Sequence, residues 1–303
     1  MPQPAAPQPP GHPRPFPRPS TGPPSATRKY HNRLCFVAGA RVRKCGATRV
    51  NRPFVHEYSE CVQALFIQHD HLSPPALVGE ALEGLGYEIN EFLVVPEEKF
   101  HSPNVQVELP DYRDYDLLVP MGAPWSVYDT AKIGNWVFDE LAYLRGAMSQ
   151  GVAVLGICFG GQLLAKANGG EVVRSPAPEI GWHVIHSDQP DAIPAGPWFQ
   201  WHYDRVVPPP GANVVARNAA AVQAFRIGGS LGLQFHPEID PPSLLGWLDN
   251  GGREEALEAG LDPDVMLLHT EAELPSARPR TWRLIESFHR EVVLPGRASR
   301  ART

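Results

Sequence analysis

The feature that most constrains the fold is a strand-like run that passes directly into a helix-like run across a single cysteine. Residues 152–157 (VAVLGI) form a short apolar run, and residues 160–170 (GGQLLAKANGG) read as a short helix that ends at paired glycines. Cys158 lies between the two runs, with Gly156 and Gly160 two positions to either side. Small neighbours at these positions allow a sharp turn that projects the central side chain. The pattern therefore favours an α/β fold in which this turn joins a buried strand to a surface helix.

The rest of the chain repeats this alternation. Strand-like runs occupy residues 62–68, 87–95 and 115–124, and residues 74–86 and 132–151 have helical spacing of their apolar positions. Strands that alternate with helices predict a mainly parallel central sheet flanked by helices. Further strand-like pieces, predicted to be antiparallel additions, lie at residues 171–173, 182–186, 198–202, 213–216, 222–227 and 231–235. From about residue 242 the chain reads as helical again, to residue 293.

Composition separates the first 61 residues from the rest of the chain. Residues 1–25 contain eleven prolines, and residues 1–56 contain ten Arg or Lys but no Asp or Glu. Because such a segment cannot bury a core, we predict a disordered Pro/Arg-rich tail at 1–61, a folded domain at 62–240, and a helical region at 241–303 that packs on the same domain. Three interpretations of the tail stay open: a solvated extension, a start site assigned upstream of a true start near Val62, or a targeting or nucleic-acid-binding arm.

Cysteine usage and hydropathy narrow the class of protein. Cys35, Cys45, Cys61 and Cys158 form neither a disulfide framework nor a zinc-finger spacing. No apolar run reaches about 18 residues, so no transmembrane helix is expected. Nor does an apolar segment of secretory type follow the basic start. We expect a cytoplasmic protein, and the few aromatic residues in the basic tail make nucleic-acid binding the less favoured expectation.

A second polar cluster, residues 69–71 (His-Asp-His), follows the first predicted strand. Two histidines and one acid are fewer ligands than a closed metal site needs. A polar loop at the edge of the sheet is the simpler interpretation, and we predict no metal and no organic cofactor.

Partners for Cys158 are expected in the segment GLQFHPE, which contains His236 and Glu238. The carboxyl ends of strands in an open α/β sheet meet at one edge, so Cys158 and His236 are expected to lie together there. In extended chain, side chains two positions apart point the same way, and Glu238 can reach the far nitrogen of His236. A thiol, an imidazole and a carboxylate in this order predict nucleophilic catalysis, since the positive end of a helix favours a thiolate.

Two alternatives accompany this interpretation. Taken alone, the sequence around Cys158 is equally consistent with a small buried core residue. An α/β-hydrolase with a cysteine elbow would use Cys158, Asp204 and His236 in that chain order. Only about four predicted strands precede the elbow, however, and the chain has no HGGG-like oxyanion loop.

Three motifs together resemble the class I (triad-type) glutamine amidotransferase family: GICFGGQLLAKANGG, EIGWHVI and GLQFHPE. The similarity covers about residues 62–240 and is greatest to stand-alone domains resembling the glutaminase domain of GMP synthase. It implies a flavodoxin-like architecture with added antiparallel strands. It also implies that Cys158 attacks the side-chain amide of glutamine, that His236 transfers protons, and that Glu238 orients the imidazole.

The resemblance also assigns substrate contacts. It implies an oxyanion hole formed by the backbone N–H groups of Phe159 and Gly122, and a contact between Gln162 and the substrate. Many relatives carry Gly-Gly-Pro where residues 121–124 of this chain read Met-Gly-Ala-Pro. Gly122, the glycine to which the resemblance assigns the oxyanion contact, is present. The segment QWHYDRV at 200–206 matches a part of the family that borders the substrate pocket.

The partner that the resemblance implies is glutamine. A further possibility is a separate synthetase or ammonia-acceptor subunit. The chain has no P-loop motif, so any synthesis that uses the ammonia needs another protein. A γ-glutamyl peptide hydrolase on the same fold and triad is the alternative. A non-catalytic binding module is a third class, which the complete set of Cys158, His236 and Glu238 disfavours.

Overall fold

A single mixed sheet organises the part of the chain that the computed structural model describes, residues 61–302. Within these residues its nine strands lie in the order β2-β1-β3-β4-β9-β8-β7-β5-β6. Their bounds are β1 Val62–Gln68, β2 Tyr87–Leu93, β3 Leu117–Pro120, β4 Ala153–Ile157, β5 Glu171–Ser187, β6 Gly196–Val207, β7 Asn213–Arg217, β8 Val222–Ile227 and β9 Ser230–Leu233. The predicted tail lies outside the described residues, apart from Cys61.

Helices flank this sheet and continue after it. Their bounds are α1 Ala76–Gly84, α2 Thr130–Ser149, α3 Phe159–Ala167, α4 Pro241–Trp247, α5 Arg253–Glu258, α6 Pro263–Phe288 and α7 Leu294–Arg300. Between residues 61 and 302, no helix is both long and apolar enough to cross a membrane.

Five neighbouring strands form the parallel half of the sheet. β1 pairs in parallel with β2 and β3, and β4 pairs in parallel with β3 and β9. Every residue of β3 and β4 is buried, as expected for strands covered on both faces. Successive side chains of β1 alternate between the two faces: Phe66 joins a core cluster with Val78 of α1 and Leu284 of α6, and Leu65 joins another with Trp136 of α2. The predicted parallel core flanked by helices is confirmed.

The other half of the sheet is antiparallel, but two of its predicted details were wrong. The pieces predicted at 171–173 and 182–186 are one strand, β5, whose register shifts between Arg174 and Glu179. Its exposed middle, SPAP, lacks the apolar residues that mark a strand in sequence. β9 pairs antiparallel only with β8, and on its other edge it lies parallel to β4.

Candidate active site

Cys158 lies at the sharp junction between β4 and α3. Its backbone has φ 49° and ψ −105°, a conformation that costs a non-glycine residue about 1–3 kcal/mol. The N–H of Cys158 donates a hydrogen bond to the carbonyl oxygen of Leu233 at 2.9 Å, which ties the elbow to β9. The side chain is buried against the sheet edge, with Sγ 3.9 Å from the carbonyl oxygen of Trp201. The fold thus holds this cysteine in strained geometry.

Three glycines make the elbow sterically possible. A methyl group on Gly156 would lie 2.4 Å from the carbonyl oxygen of Gly160, and one on Gly160 would lie 1.9 Å from that of Pro120. At Gly161 the added carbon would lie 2.4 Å from the carbonyl oxygen of Leu233. These oxygens belong to backbone that cannot move freely, so the tight turn requires glycine at each position.

His236 and Glu238 form a buried hydrogen-bonded pair. The Nδ1 of His236 donates to Oε1 of Glu238 at 2.7 Å, and both side chains are almost fully buried. The expected contact is present, but Pro237 and Glu238 lie in a turn, so the premise of an extended chain was wrong. Because Nδ1 is engaged by Glu238, Nε2 is the ring nitrogen left for the thiol.

Three elements hold the backbone of this pair. The N–H of His236 donates to the carbonyl oxygen of Phe199 in β6 at 2.9 Å. The carbonyl oxygen of Glu238 accepts from the N–H of Leu77 in α1 at 3.1 Å. The hydroxyl of Thr281 in α6 donates to the carbonyl oxygen of Pro237 at 2.7 Å. The segment after β9 is therefore anchored to β6 and to helices α1 and α6.

Electrostatics couple His236 to both of its neighbours. Burial opposes protonation of the imidazole, but the charges of Glu238 and Cys158 outweigh it and raise the pKa of His236 to about 10. At neutral pH the imidazole therefore carries a proton that it can donate.

Asp204 does not take the place of Glu238. Its carboxylate accepts hydrogen bonds from the hydroxyls of Ser126 at 2.5 Å and Tyr128 at 2.8 Å. Nδ1 of His236 is bonded to Glu238 and not to Asp204, so the structure does not bring together the set of Cys158, Asp204 and His236 that the α/β-hydrolase alternative requires.

The two predicted oxyanion donors lie on either side of the elbow. Phe159 is the first residue of α3, so its N–H lies in the first turn, where backbone N–H groups lack helical partners. Gly122 follows β3, and a methyl group on it would lie 3.1 Å from Cε1 of His236. The N–H of Gly160 donates to the carbonyl oxygen of Met121 at 3.0 Å, which joins the loop to the helix.

Gln162 lies one turn into α3 and is buried at the same cleft. Its N–H donates to the carbonyl oxygen of Cys158 at 2.9 Å, and its side-chain nitrogen lies 3.4 Å from the carbonyl oxygen of Asp204. Of the predicted site residues, Cys158, Phe159, Gln162 and His236 line one cleft. Gly122 and Glu238 lie behind it, against the imidazole.

Sequence reasoning missed several residues of the cleft. Trp247 of α4 places its ring 4.9 Å from the His236 ring and donates Nε1–H to the carbonyl oxygen of Leu72 at 2.9 Å. No local signal marks it, because its position depends on how α4 leaves the HPE segment. Gln234 donates from Nε2 to Sγ of Cys158 at 3.8 Å. It stands two positions before His236, so the spacing rule that selected Glu238 could also have selected Gln234.

The outer wall of the cleft combines aromatic and charged side chains. Trp201 and Tyr203 of β6 both donate hydrogen bonds to Glu255 of α5, at 3.0 and 3.3 Å. The guanidinium of Arg174 lies 4.7 Å from the centroid of the Tyr203 ring, and 3.7 Å from the carboxylate of Asp204. The cleft thus has an anionic and a cationic group a short distance from the cysteine elbow.

Comparison with known proteins identifies the class to which this fold and site belong. The family model described as glutamine amidotransferase class-I matches residues 92–244. A glutamine amidotransferase from Thermotoga maritima has a TM-score of 0.66 at 23% identity, over 76% of this chain and 99% of that one. One from Methylobacillus flagellatus has a TM-score of 0.67 at 25% identity, over 77% of this chain and 96% of that one. The chain belongs to the class I glutamine amidotransferase family.

Within this family, the chain is similar to glutamine-hydrolysing GMP synthases. It is 35% identical over 182 residues to one subunit of the glutamine-hydrolysing GMP synthase of Sulfurisphaera tokodaii, a match of 57% of this chain and 85% of that protein. It is 35% identical over 193 residues to the glutamine-hydrolysing GMP synthase of Aeropyrum pernix, over 58% of this chain. The match spans only 32% of the Aeropyrum protein.

Proposed function

We propose that the chain hydrolyses the side-chain amide of glutamine through a thioester on Cys158 and releases glutamate and ammonia. The observation that carries the proposal is the arrangement at the sheet edge: a strained elbow cysteine beside an imidazole whose far nitrogen is bonded to a buried carboxylate. This is the geometry of an activated nucleophile, a proton carrier and an orienting acid. Membership of the family supplies the reaction class.

The proposed reaction has two halves. The sulfur of Cys158 attacks the amide carbon, and the oxyanion that forms is stabilised by the N–H groups of Phe159 and Gly122. His236 gives its proton to the nitrogen, the carbon–nitrogen bond breaks, and ammonia leaves. Water then attacks the thioester while His236 accepts its proton, and the sulfur leaves with release of glutamate. Glu238 orients the imidazole and stabilises its charge throughout.

The charges of the outer cleft suit the rest of a glutamine molecule. The substrate carries an ammonium and a carboxylate beyond its side-chain amide. Asp204 is a buried carboxylate at the cleft, and Arg174 supplies a guanidinium beside it. We assign Asp204 to the ammonium and Arg174 to the carboxylate, while Gln162 contacts the amide end.

The ammonia is proposed to pass to a separate acceptor protein. The Sulfurisphaera relative is named as one subunit of a synthase, which supports an acceptor on another subunit. The relatives described above are named as glutamine-hydrolysing enzymes, and this favours free glutamine over γ-glutamyl peptides as the substrate.

The test follows labelled ammonia. The protein is incubated with glutamine that carries ¹⁵N in its side-chain amide, and labelled ammonium and glutamate are measured. We expect equal amounts of both products, none with Cys158→Ala, and an unchanged rate with Cys61→Ala, because Cys61 lies just before β1 and outside the cleft. Turnover that survives in Cys158→Ala contradicts the mechanism. Rapid cleavage of γ-glutamyl dipeptides without turnover of glutamine contradicts the substrate assignment.

A further inference from the structure

His69 is a fully buried histidine at the carboxyl end of β1, and both of its ring nitrogens are engaged. Nδ1 donates to the carbonyl oxygen of Gly122 at 3.2 Å. Nε2 donates to both carboxylate oxygens of Glu140 in α2, each at 3.1 Å. Glu140 is itself 1% exposed, so the ion pair is buried. Neither residue lines the substrate cleft.

The His69 ring also touches the second oxyanion donor. It lies edge-on against the ring of Phe159, with centroids 4.7 Å apart, and stacks on Trp136 at 5.6 Å. One side chain therefore contacts both residues whose N–H groups are proposed to stabilise the oxyanion. The triad mechanism gives His69 and Glu140 no role.

Both ring nitrogens of His69 face hydrogen-bond acceptors, an arrangement that only the doubly protonated imidazolium satisfies. Burial opposes that charge, but the charge and hydrogen bond of Glu140 outweigh it and raise the pKa of His69. The hydrogen bond to Gly122 is therefore charge-assisted, and such bonds are shorter and stronger than neutral ones.

Gly122 needs anchors because a glycine rotates freely about both of its backbone bonds. On its amino side, the carbonyl of Met121 accepts from the N–H of Gly160. This bond restrains the Met121–Gly122 peptide plane, which carries the Gly122 N–H, at its carbonyl end only. On its carboxyl side, the carbonyl of Gly122 is held by His69. Without the second anchor, Gly122 could turn its carbonyl and change the direction of its N–H.

We propose that the buried His69–Glu140 pair positions the oxyanion hole, by anchoring the Gly122 carbonyl and packing against Phe159. His69 and Glu140 are positioning residues, since neither touches the reacting atoms. The inference rests on the proposed function, because it assigns Gly122 and Phe159 to the oxyanion.

A double variant tests this role without leaving a buried charge alone. Loss of one partner from a buried ion pair is strongly destabilising, whereas replacement of both by apolar side chains is often tolerated. His69→Phe with Glu140→Leu keeps an aromatic ring beside Phe159 but removes the bond to Gly122. An oxyanion contact acts only in the transition state, so kcat and kcat/KM should fall together by about tenfold or more while KM stays unchanged.

Alkylation of Cys158 by iodoacetamide distinguishes loss of oxyanion positioning from loss of reactivity of the Cys158 thiol. That reaction forms a sulfur–carbon bond and expels iodide, so no oxyanion develops. We expect the double variant to be alkylated at the wild-type rate. A conservative Glu140→Gln change should recover much of kcat, because an amide can still accept or donate at Nε2 while Nδ1–H remains on Gly122.

The matched control is Leu144→Ala, which removes buried packing from the same helix. It should lower the melting temperature and leave kcat near wild type. The proposal is overturned if the folded double variant keeps kcat within twofold of wild type, or if its alkylation slows in proportion to kcat.

A readout that does not require turnover separates this proposal from the proposed function. The amide resonance of Gly122, assigned by ¹⁵N-glycine labelling, should shift in the double variant and not in Leu144→Ala. An unmoved resonance overturns the positioning role whatever the turnover. Failure of the wild-type protein to hydrolyse glutamine, with the resonance shifted as expected, contradicts the proposed function instead.

Discussion

Glycines at the elbow show how little freedom single residues have at this site. Gly156, Gly160 and Gly161 each face a backbone oxygen at a distance that excludes a methyl group. The strained backbone of Cys158 persists because the surrounding strands and helix hold it there. Steric exclusion at three neighbouring positions therefore supports the backbone geometry of Cys158.

We predict that Gly160→Ala severely destabilises the fold. The new methyl carbon would lie 1.9 Å from the carbonyl oxygen of Pro120, so β3 and α3 would have to separate. The free energy of unfolding, measured by urea titration, should fall by about 3 kcal/mol or more. Gly246→Ala is the matched control, because nothing lies within 4 Å of its added carbon in α4. Equal stability of the two variants would contradict this description of the elbow.

The His236–Glu238 bond predicts a shift in pH dependence. In the proposed mechanism protonated His236 supplies the proton for ammonia, so activity should be lost as pH rises through its pKa of about 10. Glu238→Gln removes a charge that raises this pKa while burial continues to lower it, and the alkaline limb should move to lower pH. The measurement is kcat/KM for glutamine against pH, with the exposed Glu271→Gln as control. An unmoved alkaline limb in Glu238→Gln would show that Glu238 does not control the imidazole.

The positions of site residues were predictable where the signal lies within a short stretch of sequence. Cys158 was found from its flanking glycines, and Glu238 from its offset of two positions from His236. His69 was noticed but interpreted as part of a polar loop. Its contact with Gly122 spans 53 positions and its contact with Glu140 spans 71, so no local pattern connects them.

At the scale of elements, helix α4 carries one wall of the cleft. Asp240, the N-cap residue that precedes it, accepts hydrogen bonds from the N–H and the hydroxyl of Ser243, at 2.8 and 2.6 Å. One further turn along, Trp247 lies against His236. The cap therefore fixes the start of the helix that places this indole.

We predict that Asp240→Ala lowers the free energy of unfolding by about 1 kcal/mol, the usual cost of a lost helix cap. Asp240→Asn keeps a side-chain oxygen in the same place and should remain within a few tenths of wild type. Urea unfolding followed by tryptophan fluorescence measures both variants. Identical midpoints for Asp240→Ala and wild type would mean that the cap contributes nothing to stability.

Elements were predictable where the hydrophobic period is regular. β1 occupies residues 62–68, as its apolar run predicts, and α2 begins and ends within two residues of the predicted helix. The sequence predicted β5 as two separate pieces because the middle of this strand is exposed and contains two prolines. The direction of β9 depends on its pairing with β4, a long-range contact that local sequence does not encode.

At the scale of the whole molecule, the cleft collects parts from distant segments of the chain. The β4–α3 elbow supplies Cys158, the segment after β9 supplies His236 and Glu238, and β6 with the helices after residue 240 supplies the outer wall. The carboxyl edge of the parallel strands is where these parts meet, as expected for an open α/β sheet. The central claim is that this edge carries out acyl transfer through Cys158.

Interception of the acyl group by hydroxylamine tests that claim most directly. Hydroxylamine attacks the carbonyl of a thioester and releases the thiolate, so an acylated Cys158 should yield γ-glutamyl hydroxamate in competition with glutamate. We predict that hydroxamate appears when the protein turns over glutamine in the presence of hydroxylamine, and that Cys158→Ala forms neither product. Glutamate formation without any hydroxamate, or hydroxamate formation by Cys158→Ala, would contradict the account.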